Sequence, residues 1–140
     1  MKKLKYILLA LFCSVTLGTE AKQVKAPHMY MFGFVASFKD SVVYITEIQD
    51  VKGAWYDTRS KFLLGRDNYS SQLKSYVKDK LQLNERVCMV IFATSQKKAE
   101  KKYIKLRKKY LSSPKHPSSY EIRYITKQEF QFEAVEMSDE

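Results

Sequence analysis

Cysteine, histidine, glycine and proline are all scarce in this chain of 140 residues, with two, two, four and three copies respectively. So few cysteines cannot supply an internal disulfide framework. Cys13 falls in an apolar stretch near the start, and Cys88 lies inside the apolar run Val87–Ala93, where it reads as a structural thiol whose pKa burial raises. Pairing of Cys88 between two chains requires that run to lie at a sheet edge. His28 and His116 sit beside prolines with no second ligand at metal spacing, so no metal site is visible. The sequence has no G-x-S-x-G, Walker loop, H-E-x-x-H or dinucleotide glycine pattern, and its carboxylates are scattered. Neither catalytic residues nor a cofactor are expected on that basis, and the chain reads as a non-enzyme. Scarce glycine and proline, with no internal repeat, fit neither a disordered chain nor a repeat array.

The start of the chain carries a targeting pattern. Lys2, Lys3 and Lys5 precede an apolar run from Tyr6 to Val15, extended by Leu17, and then Gly18, Thr19, Glu20 and Ala21 lead to Lys22. A positive start, a short apolar core and small residues before the cut describe a secretory signal peptide over residues 1–21. The run is too short for the roughly 20 apolar residues of a membrane-spanning helix, so no transmembrane span is expected in the mature chain. A lipoprotein reading would make Cys13 the acylated residue, but Leu11 and Phe12 before it are bulky where small residues are usual. Periplasm, cell envelope and secretion all begin with such a signal and stay open.

Cleavage after Ala21 removes three of the 25 basic and one of the 15 acidic residues, leaving 119 residues and a net charge of +8. That length suits one domain. Its basic surface favours anionic partners, which for an exported protein means lipopolysaccharide, acidic glycans or anionic lipid rather than nucleic acid. A surface charged only for solubility is the plainer alternative.

Period-two alternation predicts a strand over Met29–Phe38, and a polar break at Lys39–Ser41 leads to a second over Val42–Val51, together an antiparallel hairpin. Lys52–Gly65 is irregular and reads as a loop, with room for a short strand. Asp67 or Asn68 can cap a helix with the stripe Tyr69, Leu73, Tyr76, Val77 and Leu81, stopping by Asn84. Val87–Ala93 reads as a central strand covered on both faces. Thr94 or Ser95 can cap a second helix over Lys97–Leu111, with Ala99, Tyr103, Leu106 and Tyr110 facing inward, and Pro114 and Pro117 follow it. Tyr120–Thr126 is a last full strand, and Phe130 and Phe132 pack as a short segment. The order ββαβαβ predicts a single small α+β domain over residues 22–132, its sheet covered by two amphipathic helices. Residues 133–140 carry four acids and no base and read as a mobile tail.

Two surface features compete for function. The second helix bears Lys97, Lys98, Lys101, Lys102, Lys105, Lys108 and Lys109 against one acid, Glu100. Lys97, Lys101, Lys105 and Lys108 are therefore candidates for contacting phosphates or sulfates as flexible point charges. The competing reading is a solvated face, compensated by the acidic tail. Nucleic acid is not expected, because Tyr103 and Tyr110 lie on the core side instead of among the lysines, where bases could stack. Trp55, Tyr56 and Arg59, near Gly53, form a candidate loop site for a glycan or cation, against the alternative that Trp55 is a packing anchor.

The segment Lys61-Phe-Leu-Leu-Gly-Arg-Asp-Asn-Tyr-Ser-Ser-Gln-Leu73, the Arg86–Phe92 strand, the lysine helix and Tyr120–Thr126 together resemble short exported proteins of Bacteroidales-type bacteria. The resemblance covers most of the mature chain; it implies export and one fold unit, and brings no catalytic, cofactor or binding residue with it. The layout is also loosely similar to peptidoglycan-binding sporulation-related domains, whose βαββαβ order differs from the order read here. The expected function is an exported, non-enzymatic binding or interaction module of the cell envelope, engaging an anionic polymer through the lysine helix or an envelope protein. The alternatives are an assembly component using the exposed edge of the first hairpin, or a small hydrolase with Asp57 and Asp67 near the Trp55 loop.

Overall fold

Alternation along Tyr30–Ala36 decides how the molecule is layered. The structure, a computed structural model, describes residues 22–111 and 119–137. Its elements in chain order are β1 (Gln23–Lys25), β2 (Tyr30–Ala36), β3 (Val42–Thr46), β4 (Gln49–Asp50), β5 (Trp55–Asp57), α1 (Arg66–Asp79), β6 (Val87–Ala93), α2 (Gln96–Tyr110) and β7 (Glu121–Ile125). Met31 and Val35 of β2 turn to one face and are buried with Tyr69, Leu73 and Val77 of α1. Phe32 and Phe34 turn to the other and pack with Tyr103, Leu106 and Tyr110 of α2. The result is the expected α+β domain, a sheet with one helix on each face.

β2 lies inside the sheet. β3 and then β4 run antiparallel along one side of it, with Phe34 opposite Ile45 and Met31 opposite Gln49. β6 runs antiparallel along the other side, from Tyr30 opposite Ala93 to Ala36 opposite Val87. β7 joins β3 in parallel, Val43 opposite Ile122. β3, β6 and β7 therefore share one direction, and both helical connections are crossovers. They use opposite faces and cross the sheet in opposite directions, so they have the same hand.

β6 was expected at the centre of the sheet, and the structure places it at an edge. Its continuous apolar run arises because Cys88, Val90 and Phe92 face the α1 side and Ile91 the α2 side. Val87 and Met89, at the end α2 does not cover, are 45% and 44% exposed. The first hairpin, expected to offer a free edge, is interior, since β2 and β3 each have neighbours on both sides. The long strand expected over Val42–Val51 breaks after Thr46, where the Glu47 N–H donates to Ile125 O at 3.0 Å. β1 carries no apolar alternation; it pairs with β5, Val24 opposite Tyr56, in a separate two-stranded sheet.

Neither Asp67 nor Asn68 caps α1. Gly65 does so in the left-handed region at φ 71, its carbonyl accepting from the N–H groups of Asn68 and Tyr69. That conformation, which favours glycine, turns the chain into the helix directly after Leu64 N–H bonds Trp55 O at 2.9 Å. Asp67 sits in the first turn, where a negative charge suits the helix dipole. The helix stops at Asp79, ahead of Asn84, and the Leu83 N–H closes back on Val77 O. Ser95 caps α2 as expected, accepting from the Lys98 N–H.

Side-chain amides hold the C-terminal segment. Gln49 is buried; its Nε2 donates to Phe130 O at 3.0 Å while its Oε1 accepts from Phe132 N–H at 2.8 Å. Gln72 on α1 does the same for Glu133, at 2.9 and 2.8 Å. The Tyr69 hydroxyl accepts from Val135 N–H, and Glu136 pairs with Lys25. Glu133 and Val135 thus bond side chains of α1 and Glu136 pairs with β1, contacts that the reading of a mobile tail did not foresee. Residues 138–140 lie outside the described part.

The layers meet most closely at Gly33. A Cβ there would come within 2.4 Å of Leu73 Cδ2 and 3.3 Å of Thr46 Cγ2. Gly33→Ala is expected to destabilise the fold by about 1–3 kcal/mol through overpacking, and Leu73→Ala by about 2–5 kcal/mol through the cavity left behind. Urea denaturation of the double variant should give a smaller loss than the two single losses combined, because each change makes room for the other. Strict additivity would contradict the close contact.

Candidate functional site

α2 is a helix of 15 residues whose buried stripe leaves every lysine exposed. Lys97, Lys101, Lys105 and Lys108 lie on the surface, and among the described residues no lysine of α2 is ion-paired to an acid. Acids elsewhere do have partners: Asp40 with Arg86, Glu85 with Lys39, Glu121 with Arg123, Glu136 with Lys25, and Asp50 with His28. The basic residues of the last turn, Arg107, Lys108 and Lys109, suit the negative end of the helix dipole. Lys97 and Lys98 oppose it. They occupy a first turn with no acid, at a cost of about 0.3–1 kcal/mol each. Four lysine pairs stand four residues apart, Lys98 with Lys102 among them, each destabilising by about 0.2–0.5 kcal/mol.

The beginning of α2 borders a concavity of about 310 Å³ lined by Lys61, Phe92, Ala93, Thr94, Lys98 and Lys102. Lys102 is fixed at its rim: its Nζ donates to Phe92 O at 2.8 Å and stands 5.5 Å from the centre of the Phe92 ring. The Arg66 guanidinium is also 5.5 Å from that ring and donates to Val90 O at 2.9 Å. Lys61 arrives from the loop after β5, with its Nζ 6.0 Å from the Tyr56 ring. Its backbone is left-handed at φ 63, a conformation that costs a side-chain-bearing residue about 1–2 kcal/mol. Among the described residues no acid lines the concavity. Lys98 and Lys102 were read only as part of the lysine helix and not among the candidates Lys97, Lys101, Lys105 and Lys108, and nothing in the sequence points to Lys61 and Arg66 as their neighbours.

The Trp55 loop is put to structural use. Trp55 is half-buried in β5, Lys25 Nζ lies 5.5 Å from its ring, and its Nε1–H is buried without a partner among the described residues. Tyr56 packs against the α1-side core, and Arg59 is exposed. Asp57 accepts from the N–H groups of Ser60 and Arg59, which hold its carboxyl below the usual range, the opposite of what a general acid needs. Asp67 lines a different concavity with Ser70, Ser71, Lys74, Arg86, Val87 and Cys88. Burial raises the Cys88 thiol's pKa, with Lys74 and Arg86 opposing in part. His28 gains an acid through the fold, its Nδ1 standing 2.7 Å from Asp50 Oδ2. Among the described residues no group of three His, Cys, Asp or Glu side chains could hold a metal ion, and no helix is long and apolar enough to cross a membrane. Cys13 and His116 lie outside the described residues.

No protein-family model, curated protein or solved structure matches the chain. The site is therefore read from its own geometry.

Arg66 and Lys102 have a second consequence, because Val90 and Phe92 direct their carbonyls away from β2 on the open edge of β6. Cations seated on edge carbonyls oppose the addition of another strand. The variant R66A/K102A loses both caps, each worth about 0.5–1.5 kcal/mol. Sedimentation should show it associating at concentrations where the parent chain keeps a constant mass; equal behaviour would mean that the caps do not guard the edge.

Proposed function

We propose that this chain is an exported, non-enzymatic binding module of the bacterial cell envelope that holds an anionic polymer on the lysine surface of α2. One observation carries the reading: the described ion pairs employ acids away from α2, while among the described residues its seven lysines have no acidic partner and repel one another. A polyanion relieves that repulsion, so ligand binding and helix stability are coupled. Export is supported by the lysines, apolar run and small residues of positions 2–21, and it places acidic glycans and lipopolysaccharide within reach. Lysine suits such a partner because its charge sits on a flexible stem that adapts to irregular anion spacing.

The direct test reverses charge at Lys101, Lys105 and Lys108 together. These side chains are exposed and make no contact that the core depends on, so circular dichroism and thermal midpoint should stay near the parent values. Capture on lipopolysaccharide-coated surfaces should fall by about tenfold or more, equivalent to at least ~1.4 kcal/mol. Undiminished capture would contradict the proposal.

A further inference from the structure

We propose that the concavity formed by Lys61, Thr94, Lys98 and Lys102 is a binding subsite for a phosphomonoester group carried on a glycan. The inference rests on the polyanion reading of α2 and narrows it to one place and one chemistry. Lys61, Lys98, Lys102 and Thr94 line the same open volume of about 310 Å³, and among the described residues no acid lines it. Lys102 is already oriented by its bond to Phe92 O, leaving two N–H donors for a ligand. Lys61 is brought there by a left-handed backbone that its own residue type disfavours. Lys98 stands in the first helical turn, against the dipole and four residues from Lys102. Unfavourable placements that gather at one spot mark a functional site better than scattered ones do.

The chemistry of the lining selects the ligand. Arg66 is not among the lining residues, its guanidinium being held on Val90 O and over the Phe92 ring, so the described lining offers no planar fork of the kind that grips a carboxylate in two parallel bonds. Separate ammonium groups act instead as point charges, and they are best satisfied by a doubly charged tetrahedral group that can accept from several directions. The volume is open at its surface and, at about 310 Å³, is larger than a phosphate group fills, which leaves room for the sugar that carries it. Lys108, at the far end of the helix, belongs to the general basic surface and not to this subsite.

The test uses residues 22–140, which hold every described element of the fold, and follows backbone amide signals during titration with glucose 6-phosphate, inorganic phosphate, glucuronate and glucose. Saturable shifts at Ala93–Lys98 with glucose 6-phosphate are expected. Lys61→Asn and Lys98→Gln should each weaken that binding by about tenfold, the loss of one charge-assisted bond. Lys127→Gln, beyond β7 on the far side of the sheet from β6, should change it by less than about twofold, as a distant screened charge. Asparagine tolerates the left-handed region, so Lys61→Asn should keep the parent thermal midpoint and thereby separate loss of binding from loss of fold. Absence of shifts with glucose 6-phosphate, or equal losses from Lys61→Asn and Lys127→Gln, would overturn the subsite. Equal affinity for glucuronate would overturn the phosphate assignment, and equal affinity for inorganic phosphate would overturn the glycan assignment. Lipopolysaccharide capture measured on the same samples distinguishes the two proposals. Capture without a glucose 6-phosphate response removes the subsite alone, and the reverse result removes the polymer reading alone.

Discussion

A missing side chain at Gly33 sets the spacing of the whole molecule. Leu73 enters the space a Cβ would fill, so α1 lies directly on the central strand while the Gly33 N–H donates to Thr46 Oγ1 at 2.8 Å. With α1 seated there, Tyr69 and Gln72 are positioned to bind the backbone of Val135 and Glu133, and Gln49 does the same for Phe130 and Phe132. The C-terminal segment thus closes the α1 side with amide bonds in place of a further strand. A buried amide that uses both its donor and its acceptor avoids the penalty of an unsatisfied polar group. The same seating places Arg66, at the first position of α1, over Phe92 and against the edge of β6.

Charge is divided between the faces of the sheet. Arg86, buried at the start of β6, donates to Val42 O and pairs with Asp40 while its guanidinium lies over the Tyr44 ring. It joins the β2–β3 turn to the edge strand. Acidic residues of the C-terminal segment remain on the α1 side, with Glu136 on Lys25. Among the described ion pairs none involves α2, and its lysines concentrate positive potential on the opposite face. Long-range attraction of anions is the physical consequence of that imbalance.

Periodicity made the fold legible in the sequence. The alternation of Tyr30–Ala36 and Tyr120–Ile125 and the stripes Tyr69/Leu73/Val77 and Ala99/Tyr103/Leu106/Tyr110 identified the main elements, because burial on one face leaves a repeating apolar signature. The edge position of β6 was not legible: the run Val87–Ala93 is apolar throughout although Val87 and Met89 stay partly exposed, so its composition looks the same at an edge as at the centre. β1 escaped notice because Gln23, Val24 and Lys25 are held by backbone bonds to β5 in a separate two-stranded sheet and carry no apolar alternation. The hold on Glu133, Val135 and Glu136 depends on Gln72, Tyr69 and Lys25, which are distant in sequence, so composition alone suggested a free acidic tail. For the candidate site, the lysine helix was plain. Its convergence with Lys61 was not, since an irregular loop with one left-handed residue delivers that side chain.

The central claim is that the lysine surface recognises an anionic envelope polymer and does more than keep the chain in solution. Equilibrium binding of residues 22–140 to lipopolysaccharide, peptidoglycan and a neutral glycan, at low salt and at about 0.15 M where screening acts within roughly 8 Å, tests it most directly. Binding to lipopolysaccharide that survives the higher salt, exceeds that to the neutral glycan and protects Lys97–Lys109 from chemical acetylation is the predicted result. Binding that vanishes at the higher salt, or lysines acetylated equally with and without the polymer, would contradict it.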